Sequence, residues 1–108
     1  MNQQAIEAVQ LCTSMTEVRA CVDALDDVIV PLLVQRTAYM TQAARIKQDK
    51  NQVRDEARIQ TIVDRVRKQA VAQGGEPAVM ESIYRGMMEI FIAYEHHEFA
   101  RLREGAAA

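Results

Sequence analysis

The chain has 108 residues, 49% hydrophobic and 26% charged, with a formal net charge of −2. That length holds one domain around one core, and the slight acidic balance argues against a nucleic-acid binder, which carries a basic surplus. The longest apolar run, 28–34, is far short of the roughly 20 residues of a membrane span, and the opening Met-Asn-Gln-Gln-Ala lacks the basic and apolar stretches of a signal peptide.

Residues 1–12 read as a polar lead-in with weak helical character. Cys12 and Cys21 form no metal or redox spacing, so they are expected as reduced thiols of a cytoplasmic protein. Thr13, Ser14 and Thr16 are N-cap candidates, and Glu17 stands three residues after Ser14, as in a capping box. A long first helix is expected from there to about Lys50. With Val18 set at zero on a helical wheel, Val22, Leu25, Ile29, Leu32, Met40 and Ala43 all fall within about 40° of one line. Arg36 at about 0° and Lys47 at about 20° interrupt this apolar stripe. Pro31 lies inside the helix. Its missing N–H and its clash with the preceding turn cost about 3 kcal/mol, which kinks or splits a helix. One kinked helix is expected, because the stripe keeps its phase across Pro31.

A helix of about 35 residues is about 52 Å long, whereas a compact domain of this size is roughly 35 Å across. A partner chain along the exposed stripe is the plain remedy, so length and pattern together predict an intertwined homodimer.

Residues 48–52 read as a loop. Asp55 and Glu56 open a second helix, where acidic residues suit the positive helix end, and Ile59, Ile62, Val63, Val66 and Ala70 form its apolar face. Gly74-Gly75 ends it. Pro77 begins a third helix with a face of Met80, Ile83, Tyr84, Met87, Phe91, Tyr94 and Leu102. Glu95 and Glu98 fall at about 60° and 0° from Met80, on or near the buried side. Residues 104–108 read as a frayed tail. The expectation is an all-α, three-helix chain forming a single domain over 1–108.

Phosphate-binding, Ser/His/Asp and Cys-His motifs are absent from the sequence, and neither a metal nor a cofactor is expected. Adjacent on a helix, His96 and His97 point about 100° apart and read as solvated or structural. Met80, Met87 and Met88 read as core filling. Glu98 reads as one half of an ion pair within the dimer, with Arg101 a candidate partner. Cations on a buried stripe need a partner, and for Arg36 and Lys47 two readings stand. One is a buried ion pair with Glu95 or Glu98. The other is an interhelical pocket for a small polyanion, to which arginine forks are suited.

In the run EVRACVDALDDVIVPLLVQRTAYMTQAARIK, followed by VRDEAR, basic residues stand at 19, 36, 47 and 58, with Leu25-Asp26 between the first two. This pattern, from about Glu17 to Leu102, resembles the small all-helical chorismate mutases and their relatives, the isochorismate-pyruvate lyases. The resemblance implies an intertwined dimer with two equivalent sites, each taking Arg19 from one chain and Arg36, Lys47 and Arg58 from the other. It implies a concerted rearrangement of chorismate to prephenate, in aromatic amino-acid biosynthesis, without a nucleophile or general base. Arg19 and Arg36 would clamp the carboxylates of the substrate. Lys47 would touch a carboxylate and the ether oxygen, Arg58 would add charge to the wall, and Asp55 would accept from the ring hydroxyl.

Two positions depart from the common bacterial pattern. The residue donating to the ether oxygen is usually Gln and here is Glu95; some fungal members also carry Glu. Only a neutral Glu donates: burial favours that form, while Lys47 and Arg36 favour the charged one. A Glu that commonly follows the arginine matching Arg58 is here Ile59, a position at which the lyases tend to be apolar. The expected function is therefore chorismate mutase. A lyase giving salicylate and pyruvate is the alternative, and a non-catalytic helical dimer module the second.

Overall fold

The structure, a computed structural model, describes residues 8–107, with side chains described through Glu104; positions 1–7 of the expected lead-in and Ala108 lie outside the described residues. Its helices are α1 (Met15–Ile46), α2 (Glu56–Ala72) and α3 (Pro77–Ala107), with a 3-10 turn at Lys50–Gln52 between the first two. No strand occurs among the described residues, so the class is all-α. Two compact units divide the chain after Val34, and α1 contributes to both.

In the first unit, Ser14 caps α1, its hydroxyl accepting from the Glu17 amide at 3.2 Å. The Glu17 carboxylate reaches back one residue further than a capping box requires, accepting from the Thr13 hydroxyl at 2.9 Å. Pro31 sits inside α1 without ending it. The stripe of Val18, Val22, Leu25, Ile29 and Leu32 is solvent-exposed. Cys12 and Cys21 are free thiols, and both donate to Gln10.

In the second unit α1 stops at Ile46, before the expected end near Lys50. The Lys47 amide still bonds the Ala43 carbonyl at 2.9 Å, but the next two amides, Gln48 and Asp49, donate to the Gln52 side-chain oxygen at 2.9 and 3.1 Å. The Asp49 carboxylate accepts from the Asn51 amide at 2.8 Å. A side chain four residues ahead thus takes the donors that would have continued the helix, and the expected loop is a capped 3-10 turn.

The Asp55 side chain caps α2 by accepting from the Arg58 amide at 3.0 Å. Past the end of α2, Gly74 has a φ of 77°, a left-handed conformation natural to glycine, and the Gly75 amide bonds back to the Ala70 carbonyl at 2.7 Å. Pro77 is the first residue of α3, where its missing N–H costs nothing. α3 continues to Ala107, through the positions read as a tail.

Ile62, Val63 and Val66 of α2 pack against Met88 of α3, with Ile59, Met80 and Tyr84 at the margin. The expected α2 face is the buried one. On α3, however, Ile83 is 55% exposed and Met88 only 5%. The buried line runs through Tyr84, Met88, Phe91 and Glu95, rotated about 40° from Met80 on the wheel, which turns Ile83 outward. At the rim Glu81 of α3 accepts from Arg67 of α2 at 2.8 Å and from Arg85 of its own helix at 2.7 Å, and Arg54, just before α2, pairs with Glu89 of α3.

Met88 belongs to the centre of this core, so Met88→Ala is expected to destabilise the fold by about 2–4 kcal/mol in urea unfolding. A loss below about 1 kcal/mol would place the core elsewhere.

Candidate active site

Alternating charged and apolar residues at the C-terminal end of α1, the first turn of α2 and the middle of α3 surround a pocket of about 310 Å³. Arg36, Met40, Ala43 and Lys47 come from α1 and the residue after it. Val53, Asp55, Arg58, Ile59 and Ile62 come from the second segment, and Met88, Phe91, Ile92 and Glu95 from α3. Six of the seven sequence-predicted site residues, Arg36, Lys47, Asp55, Arg58, Ile59 and Glu95, therefore share one pocket. Arg19 stands near the start of α1, exposed, in the first unit.

The two cations on the stripe are held differently. Lys47 Nζ donates to Glu95 Oε2 at 2.7 Å, and the Glu95 side chain is 5% exposed. The ion-pair reading therefore holds for Lys47. Arg36 forms no ion pair with a carboxylate among the described residues; its guanidinium carbon lies 5.0 Å from the centre of the Phe91 ring. An aromatic face gives a partly desolvated guanidinium an attractive surface while leaving its N–H groups free to donate. Burial, more than any neighbour, pulls the Arg36 pKa below its ordinary value; Tyr84 opposes this, while Arg58 and Arg65 add to it by like-charge repulsion.

Around these charges the wall is apolar, with Val53, Ile59, Ile62, Met88 and Ile92. A medium of this kind strengthens each charge–charge interaction made inside it. Asp55 lines the pocket, but its Oδ1 is engaged by the cap of α2. Arg58 is largely exposed, so its charge acts from the pocket's mouth. Such a site suits a small molecule carrying more than one carboxylate, with an apolar body between them.

A second polar cluster lies next to it. Glu98, 5% exposed, accepts from Thr41 at 2.8 Å and takes a two-pronged contact from Arg101 at 2.7 and 3.0 Å. The expected Glu98–Arg101 pair thus lies within one chain, one turn apart on α3. His96 and His97 are exposed, and no group of three or more His, Cys, Asp or Glu among the described residues is placed to hold a metal ion.

Residues 18–96 match the family described as chorismate mutase type II. The chain belongs to that family. No curated protein matches it. The Lys47–Glu95 pair joins two of the positions that the resemblance singled out. Sequence reasoning missed the role of Phe91, which read as one more apolar residue of α3. Fifty-five positions from Arg36, it left no local pattern that could announce the stacking. Arg103 was missed as well. The only sequence signal was its place one helical turn after Phe99, on which its guanidinium stacks at 3.4 Å.

Thr41 and above all Arg101 hold the Glu98 pKa at about 2, below the ordinary 4.5. A depressed carboxylate stabilises the fold above its unfolded value and loses that contribution as pH falls through its folded value. Between about pH 5 and about pH 2, the urea midpoint of the wild type should therefore drop more steeply than that of Glu98→Gln. Parallel curves would remove this cluster from the acid response.

Proposed function

We propose that this chain is a chorismate mutase, converting chorismate to prephenate for aromatic amino-acid biosynthesis. The observation that carries this reading is the gathering of Arg36, Lys47 and Arg58 around one apolar-walled pocket in a chain of the type II family. No Ser, Cys or His lines that pocket among the described residues, and the reaction needs none of them. One C–O bond breaks while a C–C bond forms in a single cyclic step. The protein's part is to hold a flexible dicarboxylate in its compact conformer and to set fixed positive charge where the ether oxygen becomes negative. Arg36, already seated on Phe91, clamps a carboxylate. Lys47 shares its charge between a carboxylate and the ether oxygen, and Arg58 adds charge at the mouth.

The site is completed by a second copy of the chain, with Arg19 reaching across. Support comes from the exposed stripe of Val18, Val22, Leu25, Ile29 and Leu32, an apolar surface that a monomer has no means of covering. If each site takes Arg19 from one chain and Arg36 from the other, Arg19→Ala and Arg36→Ala homodimers are both nearly inactive. Mixed and re-associated in equal amounts, they should recover about a quarter of wild-type turnover, because half the dimers then hold one intact site. No recovery, with mixed dimers present, would rule out the shared site.

Glu95 stands where the resemblance puts a donor to the ether oxygen, and its carboxylate accepts from Lys47 at 2.7 Å. Glu95→Gln keeps a side chain able to donate there, so it should retain turnover, whereas Glu95→Ala should lose about a hundredfold. A loss as large in Glu95→Gln as in Glu95→Ala would overturn this role.

Ile59 keeps one rival reading alive. It presents an apolar side chain to the pocket at a position where mutases often place a Glu for the ring hydroxyl, and this favours isochorismate-pyruvate lyase. Purified protein given chorismate or isochorismate separates the two: prephenate from the first supports the mutase, and salicylate with pyruvate from the second supports the lyase.

A further inference from the structure

We propose that Arg103 is the positioning residue for Lys47, fixing the end of α1 from which that ammonium enters the pocket; the inference rests on the pocket reading above. The last carbonyls of an α-helix lack intrahelical donors. For α1 the shortage is sharpened because the Gln48 and Asp49 amides are taken by Gln52. The Ala44 carbonyl, on a residue that is fully buried, has no water to turn to. Arg103 answers both needs at once. Its Nη1 donates to the Ala44 carbonyl at 3.0 Å and to the Phe99 carbonyl of its own helix at 3.2 Å, and its Nη2 donates to the carbonyl of Lys47.

The guanidinium carbon lies over the Phe99 ring, 3.4 Å from its centre, a second contact that holds it at the end of α1. A cation at this place also suits the negative end of the α1 dipole. Lys47 is consequently held at two points from the same helix. Arg103 fixes its backbone, and Glu95, two turns earlier on α3, fixes its ammonium at 2.7 Å. A flexible four-carbon side chain springs from an anchored root, so the ammonium position is set by α3 at both ends. Rate depends steeply on where such a charge sits, since a misplacement of about 1 Å can cost a hundredfold. Arg103 is not among the residues lining the pocket, so it acts through the end of α1 that it holds and Lys47 in particular.

The experiment compares Arg103→Ala and Arg103→Lys with wild type in the full chain, at equal folded fraction and assembly state. It measures kcat and KM for chorismate, and the order of the Lys47 side chain by NMR relaxation at its Cε. Arg103→Ala should lower kcat about tenfold or more while KM changes less than about threefold, with Lys47 order reduced. Arg103→Lys, which keeps the charge but not the fork, should fall between Ala and wild type in both readouts. An unchanged kcat with unchanged Lys47 order in a folded variant would overturn the proposal. If Arg103→Ala does not fold, Arg103→Lys decides by the same criteria. If the wild type does not turn over chorismate, the functional reading fails by itself. The relaxation measurement then decides for Arg103, lost order supporting the proposal and retained order overturning it.

Discussion

Positive charge taken partly out of water must be repaid by neighbours, and that constraint governs how the second unit is built. An isolated ion in an apolar wall is heavily penalised. Lys47 meets the requirement with the Glu95 carboxylate. Arg36 meets it with an aromatic face and makes no ion pair with a carboxylate among the described residues. The two solutions have different functional meanings. A stacked guanidinium is ready to receive a carboxylate at once, whereas a paired ammonium must first be drawn from its partner. One pocket thus contains a preset contact and a contested one.

The secondary structure serves this arrangement through its ends rather than its middles. α1 terminates where Lys47 must leave it, because the Gln52 amide oxygen captures the next donors. α2 begins where Arg58 must face the pocket, because Asp55 caps it. The α3 helix supplies Phe91, Glu95, Glu98 and Arg103 along successive turns, a single element against which the end of α1 and the start of α2 are registered. The Glu98 cluster, locked by Arg101 and Thr41, keeps the adjoining part of α1 in place on α3.

Much of this was legible in the residues, for reasons that differ by scale. Ser14, Asp55, Gly74 and Pro77 act on backbone groups within four positions of themselves, so their effects could be read locally. The four basic positions at 19, 36, 47 and 58 carry the spacing on which the resemblance rests, and three of them meet at one pocket. The errors came from longer range or finer phase. A wheel anchored on Met80 pointed Ile83 inward, because the true centre of the α3 face lies about 40° away. The end of α1 was placed late because the deciding group was a side chain on the far side of the turn. Neither the Phe91 platform nor the Arg103 clasp leaves a periodic trace, since each depends on which helix lies opposite.

Two of the pocket's apolar walls are thioethers, Met40 on α1 and Met88 on α3. Their softness suits an irregular cavity, but sulfur brings an exposure to peroxide that a leucine would not. Met88 is 5% exposed and lies within the core, whereas Met40 is only half-buried. An oxidant therefore reaches Met40 first. A sulfoxide there would set a strong acceptor one helical turn from Arg36. The polarity of the pocket wall thus depends on the redox state of a residue that carries no charge.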